Sequence, residues 1–413
     1  MKTKILFACF SAFILSQFDL SAQWVQQTSN TVANLTGIHC TDVNNCFSAG
    51  ATGTFRKTVD GGTNWTISGS GSTFTNIACV KMYDLNNIWT GKVNGTFHKT
   101  ANAGTNWSSV APVTTSHVIY DIFYHDVSNY IAVGGSPSNM LSGGNVTITT
   151  TNGGTSWTAQ NLSGLPTMLG IYCFNSSTCV ASAGAETMYK TIDGGANWTV
   201  KNSGTTVILY DVDFPSSAIG YAIGGDPALS SSVALKTIDG GETWTALSFV
   251  APNVAYGVHF TSVTTGYIVG KGGFIMKTTD GGINWGSQVS TVSTDLNKIF
   301  FADANTGYIS GASGVILKTT NAGGAVTGTD EYHSENLFSI LGNPSGNEMK
   351  IETRFEMLNA ELLIFNSLRQ KMESQKNISG NTISVNTSDF ASGIYFFRLN
   401  DEGKSISGKF IVN

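Results

Sequence analysis

Apolar positions along this chain fall in short runs, each closed by Gly, Asn, Asp or Ser. Leu296-Asn297-Lys298-Ile299-Phe300-Phe301 reads as an inner strand, Gly307-Tyr308-Ile309-Ser310-Gly311 as a second and Val315-Ile316-Leu317-Lys318-Thr319-Thr320 as a third. A tight turn then leads into an outer strand that begins at a Trp. No long apolar pattern with a period of about 3.6 interrupts the series, so the chain reads as all-β.

The turn is a box that occurs seven times, beginning at Asp60, Asn102, Asn152, Asp193, Asp239, Asp280 and Asn321. Its third position is always Gly, from Gly62 to Gly323, as expected where φ is positive or a Cβ would clash. Asp and Asn exchange freely at the first position, so the shared side-chain oxygen matters and the charge does not. That oxygen is expected to accept from backbone N–H groups two and three residues on. The exchange argues against catalytic acids or metal ligands at these positions.

Trp24, Trp65, Trp107, Trp157, Trp198, Trp244 and Trp285 are separated by 41, 42, 50, 41, 46 and 41 residues. Four strands per unit at this period predict a β-propeller, here seven-bladed over residues 23–328. The last box lacks a Trp, and Trp24-Val25-Gln26-Gln27 lacks a box before it. The N-terminal strand is therefore expected to complete the seventh blade and hide the open edges. Trp89 occupies the slot of Phe47, Tyr267 and Tyr308 and is expected in the core.

Residues 329–336 read as a polar linker. Beyond it, short strands at Met349–Glu352, Ala360–Phe365, Thr382–Val385, Gly393–Leu399 and Gly408–Val412 predict a small Ig-like β-sandwich over residues 337–413. At the other end, Lys2 and Lys4 precede the apolar run Ile5 to Leu15 and the small residues Ser21-Ala22, so residues 1–22 read as a secretory signal peptide. No other run is long enough for a membrane span.

Charged residues make up 12% of the chain, about half the usual share, with 47 Gly and a net charge of −5. Without a basic stripe, nucleic acid is not an expected partner. Cys40 and Cys46, and Cys173 and Cys179, lie at matching places in their repeats across a short strand connection. Two local disulfides are the simplest reading, with Cys79 a buried free thiol. The alternative of a cysteine metal site lacks a His at ligand spacing.

The box Thr58-Val59-Asp60-Gly61-Gly62-Thr63-Asn64-Trp65 resembles the Asp box of sialidases and related propellers. The whole unit, with Gly-Tyr-Ile-x-Gly before Lys-Thr-x-Asp-Gly-Gly-x-x-Trp, is more similar to the photosystem II stability and assembly factor repeat. In such families the box is a structural turn away from the active site. The C-terminal segment resembles the type A sorting domain of the type IX (Por) secretion system of Bacteroidota. It does so through Gly342-Asn343-Pro344, Ile364-Phe365-Asn366-Ser367-Leu368-Arg369-Gln370, Ser392-Gly393-Ile394-Tyr395-Phe396 and Lys409-Phe410-Ile411. That resemblance implies export through the inner and outer membranes to the medium or cell surface, with the secretion machinery as the partner of residues 337–413.

Sialidase chemistry would need three arginines, and Arg56 is the only one in the repeats. Another glycosidase needs two facing carboxylates. One inner-strand slot reads Gly37, Asn76, Asp121, Gly170, Asp211, Gly257 and Lys298, so Asp121 and Asp211, with Asp213 just below, are the candidate pair. The alternative is that they are solvated or paired with Lys298. The third and fifth repeats carry longer second-to-third-strand loops, opening at Gly134-Gly135-Ser136-Pro137-Ser138-Asn139-Met140 and Gly224-Gly225-Asp226-Pro227-Ala228-Leu229-Ser230. Asp226, Asn139, Asp121 and Asp211 are thus expected to form a shallow polar site on that face. No cofactor motif occurs. The expected function is a non-enzymatic extracellular protein or glycan binder, with a glycoside hydrolase or lyase as the alternative.

Overall fold

The computed structural model describes residues 24–69, 75–111, 117–249, 251–324, 338–341, 348–366, 371–401 and 404–412. The expected signal peptide, the linker and the Gly342-Asn343-Pro344 motif lie outside them.

Each repeat folds as one antiparallel four-stranded sheet in which strands follow in chain order. The first runs Leu35–Cys40, Cys46–Gly50, Thr54–Thr58 and Thr66–Ile67, and five further sheets of the same plan follow up to Gln288. The seventh comprises Leu296–Phe301, Gly307–Gly311, Ile316–Thr319 and, at its outer edge, Val25–Gln26 from the N-terminus. There Val25 pairs with Lys318 and Gln26 with Leu317. Each inner strand packs beside the next, and the seventh packs beside the first, so the sheets form a closed ring. The second strands are almost wholly buried because both their faces meet neighbouring sheets.

The N-terminal Trp closes the ring. Trp24 is fully buried, lies edge-on to Tyr267 and Phe301, and donates through Nε1 to Gln288 Oε1 at 2.8 Å. Gln288 in turn donates to the carbonyl of Gly323 in the last box. Trp89 is buried as expected, between Phe97, Tyr130 and Trp157.

The box turns depart from the expected hydrogen bonding. In the first, Asp60 Oδ1 accepts from the N–H of Asn64, four residues on, and from the Thr58 hydroxyl two residues back. The N–H of Gly62 donates to Thr58 Oγ1. The pattern of i to i+4 and Thr to Gly returns at Asn102, Asn152, Asp193, Asp239 and Asp280. Asp239 also receives an N–H three residues on, from Glu242, at 3.0 Å. The first two box residues after the acceptor take positive φ, so the turn is longer than an ordinary Asx turn and carries the donor further along. Gly at the third position serves twice: φ is positive in all seven, and at Gly154 a Cβ would collide with the Trp89 ring of the preceding sheet.

At five of the seven junctions a lysine just before the Thr ties its sheet to the next turn. Lys57, Lys99, Lys236, Lys277 and Lys318 donate to the second-position carbonyls of the next box, Ala103, Gly153, Gly281, Ala322 and Gly61, at 2.5 to 3.1 Å. The last of these passes from the seventh sheet to the first.

The C-terminal residues form one connected five-stranded sheet, in the order Phe338–Leu341, Glu348–Asn366, Gly393–Asp401 and Lys404–Val412, with Lys371–Asn386 along the other side of the longest strand. The separate strands expected at Met349–Glu352 and Ala360–Phe365 are therefore one. No Gly or Pro lies between them, and the register shifts that bend the strand are held by Asp401, which accepts from the N–H groups of Leu358 and Asn359. Met349, Ile351, Leu362, Ile364, Phe397 and Phe410 meet in a core drawn from both ends of the long strand.

Candidate channel-mouth site

Six of the seven inner strands carry a bulge near their start, between Leu35 and Gly37, Ile77 and Cys79, Ile119 and Asp121, Leu209 and Asp211, Ala255 and Gly257, and Leu296 and Lys298. A bulge re-aims one side chain. The bulged residues Thr36, Ala78, Tyr120, Tyr210, Tyr256 and Asn297 all line a cavity of about 670 Å³ at the mouth of the ring. Met140 and Leu169 add apolar wall, Asn34, Asn76 and Asn297 supply amide groups, and His39, Lys81, Asp121 and Lys298 line its deeper part. Tyr210 and Tyr256 meet edge-on at 5.4 Å. Burial pushes the Tyr210 phenol up to about 12, and nearby Tyr256, Asp226 and Tyr120 add to the shift, so these hydroxyls stay neutral donors.

Strand pairing corrects the slot alignment. The residue matching Gly37, Asp121, Asp211 and Lys298 in the second sheet is Cys79, not Asn76, which lies three residues earlier at the mouth and accepts from the N–H of Thr52. Cys79 is buried and unpaired with another cysteine, and burial raises its thiol pKa beyond the usual range, which keeps it protonated.

Below the mouth the charged residues are engaged with the ring itself. Asp121 is buried; its Oδ1 accepts from the N–H of Ile122 and its Oδ2 from Ile171 in the fourth sheet at 3.2 Å. Lys81 stands 3.7 Å from it. Asp211 is also buried; it accepts from its neighbour Val212, from Val258 in the sixth sheet at 3.0 Å and from Lys298 Nζ at 2.8 Å. One step deeper Asp213 accepts from Phe260 N–H at 2.6 Å and faces His259 at 3.8 Å. Burial opposes the Lys298 charge, but Asp211, Asp121 and Asp213 outweigh it and hold the ammonium above its ordinary pKa. His39 is buried and lies near Lys81, His259 and Lys298, so its pKa falls well below normal. Its Nδ1 accepts from the N–H of Met82, which leaves the proton of the neutral ring on Nε2.

The four polar residues expected to act together are thus not assembled. Asp121 borders the cavity, whereas Asp211 is spent on the sixth sheet and on Lys298. Asp226 accepts from the N–H of Ala228, and Asn139 accepts from Ser142 N–H and donates to its hydroxyl. Both organise their own loops. The loop residues that reach the cavity are Pro137 and Met140. Sequence reasoning missed the tyrosines because their role depends on bulges that no short pattern announces.

The structure joins Cys40 to Cys46 and Cys173 to Cys179. It also brings His125 beside the second pair, with one donor atom from each of the three residues within 4.8 Å of the others. The two sulfurs are bonded to each other.

Residues 339–413 match the model of the secretion system C-terminal sorting domain, and residues 196–285 and 239–330 match the model of the photosynthesis system II assembly factor YCF48. Comparison with curated proteins gives no match. Among solved structures, "YCF48 bound to D1 peptide" is 20% identical over 72% of this chain and 97% of its own, with a TM-score of 0.58. YCF48 from Cyanidioschyzon merolae is 18% identical over 72% and 98%, with a TM-score of 0.57. The GH74 xyloglucanase from Xanthomonas campestris is 10% identical over 80% of this chain and 59% of its own, with a TM-score of 0.56. At these identities the likeness is one of fold. No helix among the described residues is long and apolar enough to cross a membrane. The chain therefore joins propeller repeats similar to those of YCF48 to a segment that matches a secretion-system sorting tail.

Proposed function

We propose that this is an exported, seven-bladed, non-enzymatic propeller that holds a protein or glycan ligand in the channel mouth. Residues 23–328 form the propeller and residues 337–413 an Ig-like sorting domain for the type IX pathway, with residues 1–22 as the inner-membrane export signal. The observation that carries the binding reading is the mouth itself. Three tyrosines, Met140 and Leu169 offer apolar and aromatic faces, while amides and phenols supply hydrogen bonds. The acidic residues beneath are tied to backbone N–H groups of neighbouring sheets, which speaks against Asp121 and Asp211 as a catalytic pair. A similar propeller solved with a bound peptide makes peptides the first ligands to test.

The purified protein should be screened against glycans and surface-protein peptides beside hydrolysis assays. The expected result is binding that Tyr210→Ala and Tyr256→Ala weaken at least about tenfold, with no product released. Turnover abolished by Asp121→Asn would replace this reading with a hydrolase. Deleting residues 337–413 should leave a folded propeller in the periplasm; appearance of that truncated protein in the medium of intact cells would refute the sorting role.

A further inference from the structure

Five junctions between neighbouring sheets share one device: a third-strand lysine donates to the second-position carbonyl of the next box. In four of them the ammonium also lies over an aromatic ring of its own sheet, Trp89, Tyr221, Tyr267 or Tyr308, at 5.2 to 5.7 Å. At a sixth junction Lys190 meets Glu242 instead. The junction between the third and fourth sheets departs from both plans. There Thr149 pairs with Ile131, in the register where Lys99 pairs with Trp89 and Lys277 with Tyr267. The lysine and the ring are both replaced by smaller side chains.

A cavity of about 470 Å³ takes their place, lined by Ile131, Thr147, Thr149, Gln160 and the fourth box from Asp193 to Ala196. Thr147 is 3% exposed, and its Oγ1 and Gln160 Oε1 are buried with no hydrogen-bond partner. Gly194 stands where the other boxes present the carbonyl that accepts from lysine. Asp193 adds a carboxylate that makes no ion pair among the described residues.

We propose that this slot binds a primary alkylammonium group, in the place that a built-in lysine takes at the other junctions. Three N–H donors on one small cation match a set of acceptors that converge on the cavity. Buried acceptors without partners are costly, so filling them is favourable. The methylenes of the ligand would lie on Ile131 and the threonine methyls, as lysine stems do on apolar surfaces. Mostly neutral oxygens suit a monovalent ammonium better than a calcium ion, which selects several carboxylates. The group is either a partner's lysine side chain or a free amine.

The test is thermal unfolding of the full chain in n-butylammonium chloride, against equal concentrations of tetramethylammonium chloride and potassium chloride. Wild type should be stabilised saturably by butylammonium alone. Thr149→Lys should melt about 2 °C higher and lose the response. Gln160→Leu, which removes one acceptor and leaves the slot open, should respond about threefold more weakly, and it carries the test if Thr149→Lys does not fold. A Gly-Lys-Gly peptide acting at lower concentration than butylammonium assigns the slot to a partner's lysine, and the reverse order assigns it to a free amine. No saturable response in wild type, an equal response to tetramethylammonium or potassium, or a response kept by Thr149→Lys would overturn the proposal.

Discussion

At the rim, Asp60, Asp193, Asp239 and Asp280 each close a turn within their own sheet, and Asn102 and Asn152 accept the same N–H four residues on. In the channel, Asp121, Asp211 and Asp213 reach across to the next sheet, and Asp211 also holds an ammonium. The difference lies in what each oxygen is used for. A rim oxygen is exposed and needs only a lone pair, so the amide of Asn serves. A channel carboxylate is buried, and its charge is balanced by Lys298 or Lys81 at a place where water cannot do so. Acidic residues in a propeller are therefore informative only once their partners are known.

If bonds between sheets matter more than bonds within turns, the largest loss should come where the ring is closed. Trp24→Ala should cost about 3–5 kcal/mol, read as a fall in the urea midpoint of the whole ring, because it empties a fully buried site and strands Gln288. A loss confined to local fraying, with the midpoint unchanged, would break the comparison.

Next in size is Asp211→Asn, expected to cost about 2 kcal/mol because the amide cannot neutralise Lys298. Asp60→Asn should cost clearly less, since Asn already fills this position in other turns and only the exposed bond from Asn64 Nδ2 to Oδ2 is lost. Equal effects in denaturant titrations would show that charge is no more important in the channel than at the rim.

A smaller effect concerns acid. The donors of Asn64, Asn197 and Thr243 hold Asp60, Asp193 and Asp239 below the ordinary carboxylate pKa. A depressed folded pKa contributes stability that is present above the unfolded value and lost as pH falls through the folded one. The melting temperature should therefore drop between about pH 5 and pH 2, and the combined Asp60→Asn, Asp193→Asn and Asp239→Asn variant should drop less steeply. A parallel decline in both proteins would place the acid sensitivity elsewhere.

The smallest stability effect is expected from the long loops. Shortening 136–144 and 226–231 to the length found in the sixth repeat should leave the melting temperature nearly unchanged while removing Pro137 and Met140 from the cavity wall. Affinity for a ligand found by screening should fall; unchanged affinity would confine the site to the tyrosines.

Much of the ring was readable in the chain because its signals are local and repeated. The Trp spacing, the box glycines and the missing seventh Trp led to sheet-by-sheet strands and to the N-terminal strand at the outer edge of the seventh sheet, where Val25 pairs with Lys318. The candidate site was less readable. Counting along the inner strands placed Asn76 in the slot that Cys79 holds three residues further on; the slot is fixed by pairing across strands, where Cys79 faces Gly91 as Gly37 faces Ala49. The long strand Glu348–Asn366 reads as two in the sequence because its register shifts are held by a distant Asp401 rather than marked by a turn residue.

By itself, then, the sequence determined the repeat, its turns and the way the two ends meet, all of which depend on φ, side-chain size and periodicity within one unit. Only the tertiary structure decided which oxygens remain available. Asp121 and Asp211 became part of the ring because neighbouring sheets brought backbone N–H groups to them, and Tyr120, Tyr210 and Tyr256 were gathered at the mouth by bulges on three separate strands. Those partners lie about fifty residues away along the chain, and a carboxylate's role depends on the donors that reach it.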